Sequence, residues 1–212
     1  MRTAAVTRKR NPRFFNVANT ITLARLLLII VFLVLLAVPA RTTYWIAFVL
    51  FLVASAGDIL DGHLARRHGV TSDVGRVGDP LVDKALICGG FIMLLGRDVL
   101  DRVQFPALAN WMVLVIVLRE ILVTTLRGLS EARGVPFMAT VWGKAKMFLQ
   151  SVALGTLVCG YALGVIHEPW AHTVQLAVLY PAVVVTIISG LYYIRRAYQL
   201  FRLQPPAEPP SP

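Results

Sequence analysis

The amino-acid sequence predicts an all-α integral membrane protein, a six-transmembrane-helix bundle with both termini in the cytoplasm. Of its 212 residues, 57% are hydrophobic and 15% are charged, and the mean hydropathy is +0.70. A soluble domain usually carries about 25% charged residues, so this composition favours a chain that lies mostly in lipid. Six apolar stretches are each long enough to cross about 30 Å of hydrocarbon. We place them near 20–38, 43–64, 80–96, 106–127, 147–166 and 171–194.

Prolines stand where these stretches begin and end. Pro39 follows the first stretch and Pro106 opens the fourth, as expected of a residue that breaks a helix interior. A basic arm, residues 1–15, precedes the first stretch. After the sixth, residues 201–212 contain five prolines and are predicted to be an extended, disordered tail. Residues 16–200 form the predicted transmembrane domain.

The distribution of Lys and Arg predicts the orientation, because cytoplasmic loops of membrane proteins carry an excess of both. Fifteen of them lie before the first stretch, between the second and third, around the connection of the fourth and fifth, and after the sixth. The loops on the other side hold three, Arg41, Arg97 and Arg102. Both termini and the polar segment 58–83 are therefore expected in the cytoplasm, with the protein in the cytoplasmic (inner) membrane.

The net charge of +10 does not indicate nucleic-acid binding, since the basic residues are spread over several loops rather than gathered on one soluble face. Topology and attraction to the anionic headgroups of membrane lipids account for most of the excess. Cys88 and Cys159 each lie inside a predicted helix, where cysteine is usually a small apolar core residue. The sequence contains no disulfide framework and no Cys/His metal pattern.

Four aspartates stand at regular spacings around the connection of the second and third helices. Asp58 and Asp61 share one face of the second helix, and Asp79 and Asp83, one turn apart, share a face of the third. A carboxylate inside a bilayer costs about 2.5–3.5 kcal/mol on insertion scales, so such residues are functional by default. The alternative for any one of them is a helix cap or a solvated charge. Together they make an all-oxygen site suited to Mg²⁺ or Mn²⁺.

The full pattern adds small residues and an arginine, and it reads Asp58-x-x-Asp61-Gly62-x-x-Ala65-Arg66, eight residues, Gly75-x-x-x-Asp79-x-x-x-Asp83. It resembles, position by position, the signature of the CDP-alcohol phosphatidyltransferase family, integral membrane enzymes of phospholipid synthesis. The resemblance implies that Asp58, Asp61 and Asp79 hold one or two metal ions against the diphosphate of CDP-diacylglycerol. It assigns Asp83 to the base that takes the proton of the acceptor hydroxyl, near a metal, and it suggests a homodimer.

The resemblance also implies residues that bind the CDP-bearing donor. Gly62, Ala65 and Gly75 lack bulk where the cytidine nucleotide approaches the backbone, and Arg66 is placed to meet a phosphate. A polar stripe at the start of the first helix resembles the entry found in the phosphatidylglycerophosphate synthase branch of the family, with Ala18 where many members have proline. Without the resemblance, the stripe would be interpreted as helix-capping residues and an arginine whose charged end reaches the headgroup region. Its members are Asn16, Asn19, Thr22 and Arg25, of which Asn19 and Thr22 join the donor-binding candidates.

Cations on the fourth and fifth helices are the candidates for binding the phosphate of the acceptor, because guanidinium and ammonium groups pair with phosphate. They are Arg119, Arg127, Lys144 and Lys146. The residues at these positions resemble those of the phosphatidylglycerophosphate synthase branch, except that Met147 stands where that branch usually has threonine. The alternative is an internal ion pair between Glu120 and Arg127, which lie seven residues apart and nearly on one helix face. The resemblance covers roughly residues 16–155.

The resemblance implies transfer of the phosphatidyl group from CDP-diacylglycerol to glycerol 3-phosphate, with release of CMP and formation of phosphatidylglycerol phosphate. The nearest alternative is another acceptor of the same family, inositol phosphate or phosphatidylglycerol. From a different class, an ion-coupled transporter would use the four aspartates as an ion site, although ion transport has no need of the nucleotide-shaped pattern around Arg66 and Gly75. A non-catalytic relative is disfavoured because every signature residue is retained.

Overall fold

The computed structural model describes residues 17–68, 73–100, 107–133 and 141–203. Within them the chain forms six α-helices and no strand. Each helix coincides with one of the six predicted stretches, so the all-helical prediction and the order of helices are confirmed. The helices are α1 Val17–Ala37, α2 Arg41–His68, α3 Asp73–Leu100, α4 Asn110–Ala132, α5 Val141–Leu163 and α6 Pro169–Leu203.

The largest differences between prediction and structure are at the polar ends of the helices. The sequence predicts the third stretch at 80–96, whereas α3 begins at Asp73. It predicts the sixth at 171–194, whereas α6 continues to Leu203. Backbone hydrogen bonding carries a helix on into polar sequence, where apolar patterning no longer reports it. The proposed metal-binding aspartates therefore lie within helices and not in the loop between them.

Over residues 17–68, 73–100, 107–133 and 141–203, two helices are long and apolar enough, by length and composition, to cross a membrane. They are α5 and the part of α6 that runs from Pro169 to Leu200. Shorter apolar segments occupy Leu23–Ala37 in α1 and Arg41–Gly57 in α2. These findings agree with a membrane protein, while a span for each of the six helices and the side of each terminus stay predictions.

Helices α3 and α5 are the most connected, since each packs against three other helices. Helix α1 packs against α2 and α3, α5 packs against α2 and α6, and α4 packs mainly against α6. Aromatic side chains such as Phe32, Phe51 and Phe91 fill the main core together with aliphatic ones. The helices approach closely where glycine faces a large side chain, since a Cβ on Gly90 would lie 2.7 Å from a methyl carbon of Leu154.

Contacts between helices place the two ends of the bundle. Near the start of α1, Arg25 bonds to Asp83 in the first half of α3. At the other end, Arg41 at the start of α2 bonds to the last carbonyl groups of α5. The end of α2, the start of α3 and the start of α5 consequently lie at one end of the bundle. We call this the motif end, because it carries the aspartates.

Candidate active site

Two helices carry the four aspartates, as the spacing required. Asp58 and Asp61 lie in the last part of α2, and Asp79 and Asp83 lie in α3. With about 100° of rotation per residue, each pair subtends no more than about 60° on its helix. The side chains of Asp58, Asp61 and Asp79 lie outside the described residues. Among the described side chains there is no cluster of three or more metal-binding groups.

None of the six donor-binding candidates has a described side chain. Gly62, Ala65 and Arg66 lie in the last turns of α2, and Gly75 lies in the first turn of α3. In α1, Asn19 and Thr22 occupy the first two turns. Their helical placement at the motif end is compatible with a donor site, and their contacts stay predictions.

Asp83 is described and is held by an arginine of another helix. The Nη2 atom of Arg25 donates to Oδ1 of Asp83 at 3.1 Å, and the Arg25 side chain is buried. The ion pair ties α1 to α3 and holds the carboxylate in place through a charge-assisted hydrogen bond. The sequence places Arg25 in the polar stripe and assigns it no function. The stripe is the signal that could have singled out Arg25, but its partner Asp83 lies 58 residues away and is identified only by the tertiary structure.

A cavity of about 890 Å³ opens beside this ion pair. Within the described part of the chain, its charged lining consists of Arg25, Asp83 and Lys144, all towards the motif end. The remaining lining is mostly apolar and comes largely from α2 and α5, continuing along α5 as far as Leu163. Because α5 rises about 1.5 Å per residue, the lining extends for about 28 Å. We call this space the active-site cavity.

Two of the four acceptor candidates share a carboxylate. Glu120 accepts hydrogen bonds from Nη1 of Arg119, at 3.0 Å, and from Nζ of Lys146. Arg119 also donates to Oγ of Ser189 at 2.6 Å, and its guanidinium lies 5.5 Å from the centre of the Tyr193 ring. All three charged side chains are buried. Arg119, Glu120 and Lys146 therefore link α4, α5 and α6, as a triad with one excess positive charge.

The alternative of a Glu120–Arg127 pair is not what these contacts show. Glu120 pairs with the neighbouring Arg119 and with Lys146 instead. In the described part of the chain, Nε of Arg127 is buried without a hydrogen-bond partner. Lys84 lies nearby, since its Nζ donates to Thr124, three residues before Arg127. Arg127 thus lies beside the α3–α4 contact, outside the triad.

Lys144 is the one acceptor candidate that lines the active-site cavity. It is exposed, and it shares the cavity with Asp83. Lys146, two residues on, points to a different neighbour because successive helical residues lie about 100° apart. The structure therefore separates the predicted cations into a cavity-lining Lys144, a buried pair in the triad, and Arg127.

Comparison with known proteins gives an independent view of the same segments. The sequence model of the CDP-alcohol phosphatidyltransferase family matches residues 15–188. The CDP-diacylglycerol–glycerol-3-phosphate 3-phosphatidyltransferase of Bacillus subtilis (strain 168) is 30% identical over 201 residues, which cover 89% of this chain and 98% of that protein. A probable phosphatidylglycerophosphate synthase of Mycobacterium tuberculosis (strain H37Rv) is 34% identical, covering 87% and 83%. A Rickettsia felis protein with the same name as the Bacillus one is 31% identical, covering 88% and 97%.

Proposed function

The chain belongs to the CDP-alcohol phosphatidyltransferase family, and from this premise we propose that it transfers a phosphatidyl group from CDP-diacylglycerol to glycerol 3-phosphate. The hydroxyl of glycerol 3-phosphate attacks the phosphorus of the phosphatidyl group, CMP leaves, and phosphatidylglycerol phosphate forms. The observation that carries the choice of acceptor is the end-to-end similarity to enzymes named for glycerol 3-phosphate. The aspartate pattern from 58 to 83 carries the choice of chemistry.

A lipid donor fits the active-site cavity. Charged groups line its motif end, next to Asp83, and apolar side chains line the rest. The diphosphate of CDP-diacylglycerol belongs at the charged end, and its acyl chains belong against the apolar lining, since apolar burial is favourable there. Gly62, Ala65 and Gly75, with Arg66, Asn19 and Thr22, are the proposed contacts of the cytidine and diphosphate.

Enzymes of this family generally depend on a divalent metal ion. The donor set fits such an ion, because four carboxylates on two successive helices supply the oxygen ligands that Mg²⁺ and Mn²⁺ prefer. Asp58, Asp61, Asp79 and Asp83 would hold it. When bound, the ion neutralises charge on the diphosphate and makes CMP a better leaving group.

The proposed role of Asp83 is to accept the proton of the attacking hydroxyl. Its ion pair with Arg25 supports this role in one respect, because it fixes the carboxylate beside the cavity. A base must lie within hydrogen-bond reach of the proton that it removes. Arg25 is therefore a positioning residue in this proposal, acting through Asp83.

The acceptor's phosphate is proposed to bind Lys144 and Arg127. Lys144 lies in the same cavity as Asp83, and Arg127 has a donor group without a described partner. Arg119 and Lys146 contribute the excess positive charge of their triad with Glu120. A phosphate that leaves water needs such charged hydrogen-bond donors.

The proposed setting is a bundle of six membrane spans with both termini and the motif end in the cytoplasm. Large apolar side chains are exposed on every helix, for example Leu27, Val49, Ile92, Leu114, Phe148 and Leu191. Soluble monomers rarely expose so much apolar surface, whereas lipid tails cover it readily. Residues 1–15 and 201–212 are proposed as the basic arm and the tail outside this domain, and a homodimer as the assembled state.

The decisive experiment offers CDP-diacylglycerol and a panel of acceptors to the purified protein and follows CMP release. We expect glycerol 3-phosphate to support turnover well above inositol phosphate and phosphatidylglycerol. Faster release with either of those would replace the acceptor while leaving the family chemistry in place. Cation uptake into proteoliposomes without CMP release would overturn the enzyme proposal in favour of a transporter.

A further inference from the structure

A second pocket lies at the end of the bundle opposite to the aspartates. It has a volume of about 400 Å³, within the range of about 300–1,000 Å³ usual for small-molecule sites. The α1–α2 connection, the end of α3 and the α5–α6 connection all contribute to it. We call it the opposite-end pocket, and it is lined by Pro39, Ala40, Arg41, Tyr44, Arg97, Tyr161, Gly164, Ile166 and His167.

The pocket contains most of the basic residues predicted on its side of the molecule. The loops predicted on that side contain three Lys or Arg residues in all, and two of them, Arg41 and Arg97, line this one pocket. Basic residues that serve only to set the orientation in the membrane do not need to lie in one pocket.

Arg41 is held in place while keeping donors for a ligand. Its Nε donates to the carbonyl oxygen of Ala162 at 3.1 Å, and its Nη2 donates to that of Leu163 at 2.9 Å. These bonds use two of the five N–H groups of a guanidinium. The side chain is exposed, and among the described residues it forms no ion pair with a carboxylate. Its position is thus fixed by backbone groups, and its charge remains for an anion.

The depth of the pocket matches the headgroup region of a membrane. Along α2, Arg41 and Asp58 are separated by about 26 Å, close to the thickness of the hydrocarbon core. Trp45, one turn after Arg41, and Trp170, three residues after His167, are both exposed. Tryptophan is enriched at the two membrane–water interfaces. In the proposed six-span setting, the pocket therefore lies at the depth of the phosphates of the leaflet opposite to the proposed active site.

We propose that the opposite-end pocket binds the phosphate group of an anionic phospholipid from that leaflet. Guanidinium groups recognise phosphate through paired, charge-assisted hydrogen bonds. The first turn of α2 adds backbone N–H groups and the positive end of a helix dipole at the same place. A lipid held there ties three connections of the bundle together. This site is distinct from the proposed substrate site, and its existence does not depend on which acceptor the enzyme uses.

The test measures lipid binding to the purified full chain in a neutral detergent, by native mass spectrometry and by the thermal unfolding midpoint. Phosphatidylglycerol, phosphatidylcholine and inorganic phosphate are added separately. Arg41→Gln removes the charge, and Arg195→Gln is the matched control, since it removes an exposed charge near the motif end. We expect phosphatidylglycerol to bind Arg41→Gln about 10-fold more weakly than the wild type. Arg195→Gln should bind phosphatidylglycerol as tightly as the wild type does, and the binding of phosphatidylcholine should not differ between the variants.

A second variant guards against misfolding of Arg41→Gln, which loses bonds to the end of α5. Ala40→Asp leaves Arg41 intact and places a carboxylate in the pocket at the position that precedes α2, where aspartate is a favourable helix cap. This variant should fold, and it should bind phosphatidylglycerol about 10-fold more weakly than the wild type does.

The outcomes separate the sources of the phosphate. Stabilisation by phosphatidylglycerol alone, lost in Arg41→Gln and Ala40→Asp, supports the lipid. An equal, variant-sensitive effect of inorganic phosphate overturns the lipid assignment in favour of a soluble phosphate. If phosphatidylglycerol binds both pocket variants as well as it binds Arg195→Gln, the pocket is not an anion site and the proposal is wrong.

Discussion

At the scale of single residues, the four predicted acceptor cations are not equivalent. Lys144 and Lys146 are two positions apart in sequence, but one lines a cavity with Asp83 and the other is buried against Glu120. Their chemistry is the same, so the neighbours decide the role. Substitution at the two positions should consequently have different effects, one on acceptor binding and the other on stability.

The first prediction concerns Lys144→Ala. Loss of a charged hydrogen bond to the acceptor's phosphate, about 1.5–3 kcal/mol, should raise the KM for glycerol 3-phosphate about 10-fold or more. The KM for CDP-diacylglycerol should change much less. Steady-state kinetics with each substrate varied in turn measures both values. An unchanged KM for glycerol 3-phosphate would remove Lys144 from the acceptor site.

The second prediction concerns Lys146→Met, which keeps the length of the side chain and removes its charge. Glu120 then loses one of its two partners while remaining buried, and the fold should lose about 1–3 kcal/mol of stability. A lowered thermal unfolding midpoint in detergent reports this loss. Lys144→Ala is the matched control, and its midpoint should stay near that of the wild type, because Lys144 is exposed.

The third prediction concerns Asp83→Asn, which keeps shape but removes basicity. If Asp83 is the base, turnover should fall by about 10²–10⁴-fold, the usual range for general base catalysis. Donor affinity should fall far less than it does in Asp61→Asn, measured by binding of CDP-diacylglycerol. Equal losses of donor affinity in the two variants would make Asp83 chiefly a metal ligand.

At the scale of helices, close approach of α3 and α5 is set by glycine. Gly90 faces Leu154, a fully buried side chain with little room to move. Gly90→Val should therefore overpack this contact and cost about 1–3 kcal/mol, seen as a lower thermal unfolding midpoint. Gly96, six residues on, has open space around it. Gly96→Ala serves as the control and should be neutral or slightly stabilising, because alanine is the better helix former.

At the scale of the whole molecule, activity should require a divalent metal ion. The proposed ligands are four carboxylates on two helices, and these need a cation if they are to hold an anionic diphosphate. Exhaustive chelation should abolish CMP release, and Mg²⁺ or Mn²⁺ should restore it. Full turnover in metal-free buffer would contradict the proposed role of the aspartates, although the family assignment would stand on sequence similarity.

The sequence by itself determined the helices and the chemical pattern, because both are local properties. Apolar stretches of membrane length and spacings of three or four residues are visible along the chain. They placed six helices in order, and they put Asp58 with Asp61 and Asp79 with Asp83 on shared faces. The apolar pattern misplaced the ends of α3 and α6, since polar turns continue a helix without any apolar signal.

Only the tertiary structure decided which distant side chains meet. Arg25 pairs with Asp83, Glu120 with Arg119 and Lys146 rather than with Arg127. Arg41 reaches the end of α5, more than a hundred residues later. Such pairings depend on how each helix is rotated and packed against its neighbours. The periodicity of one helix does not specify the orientation of the helix that packs against it.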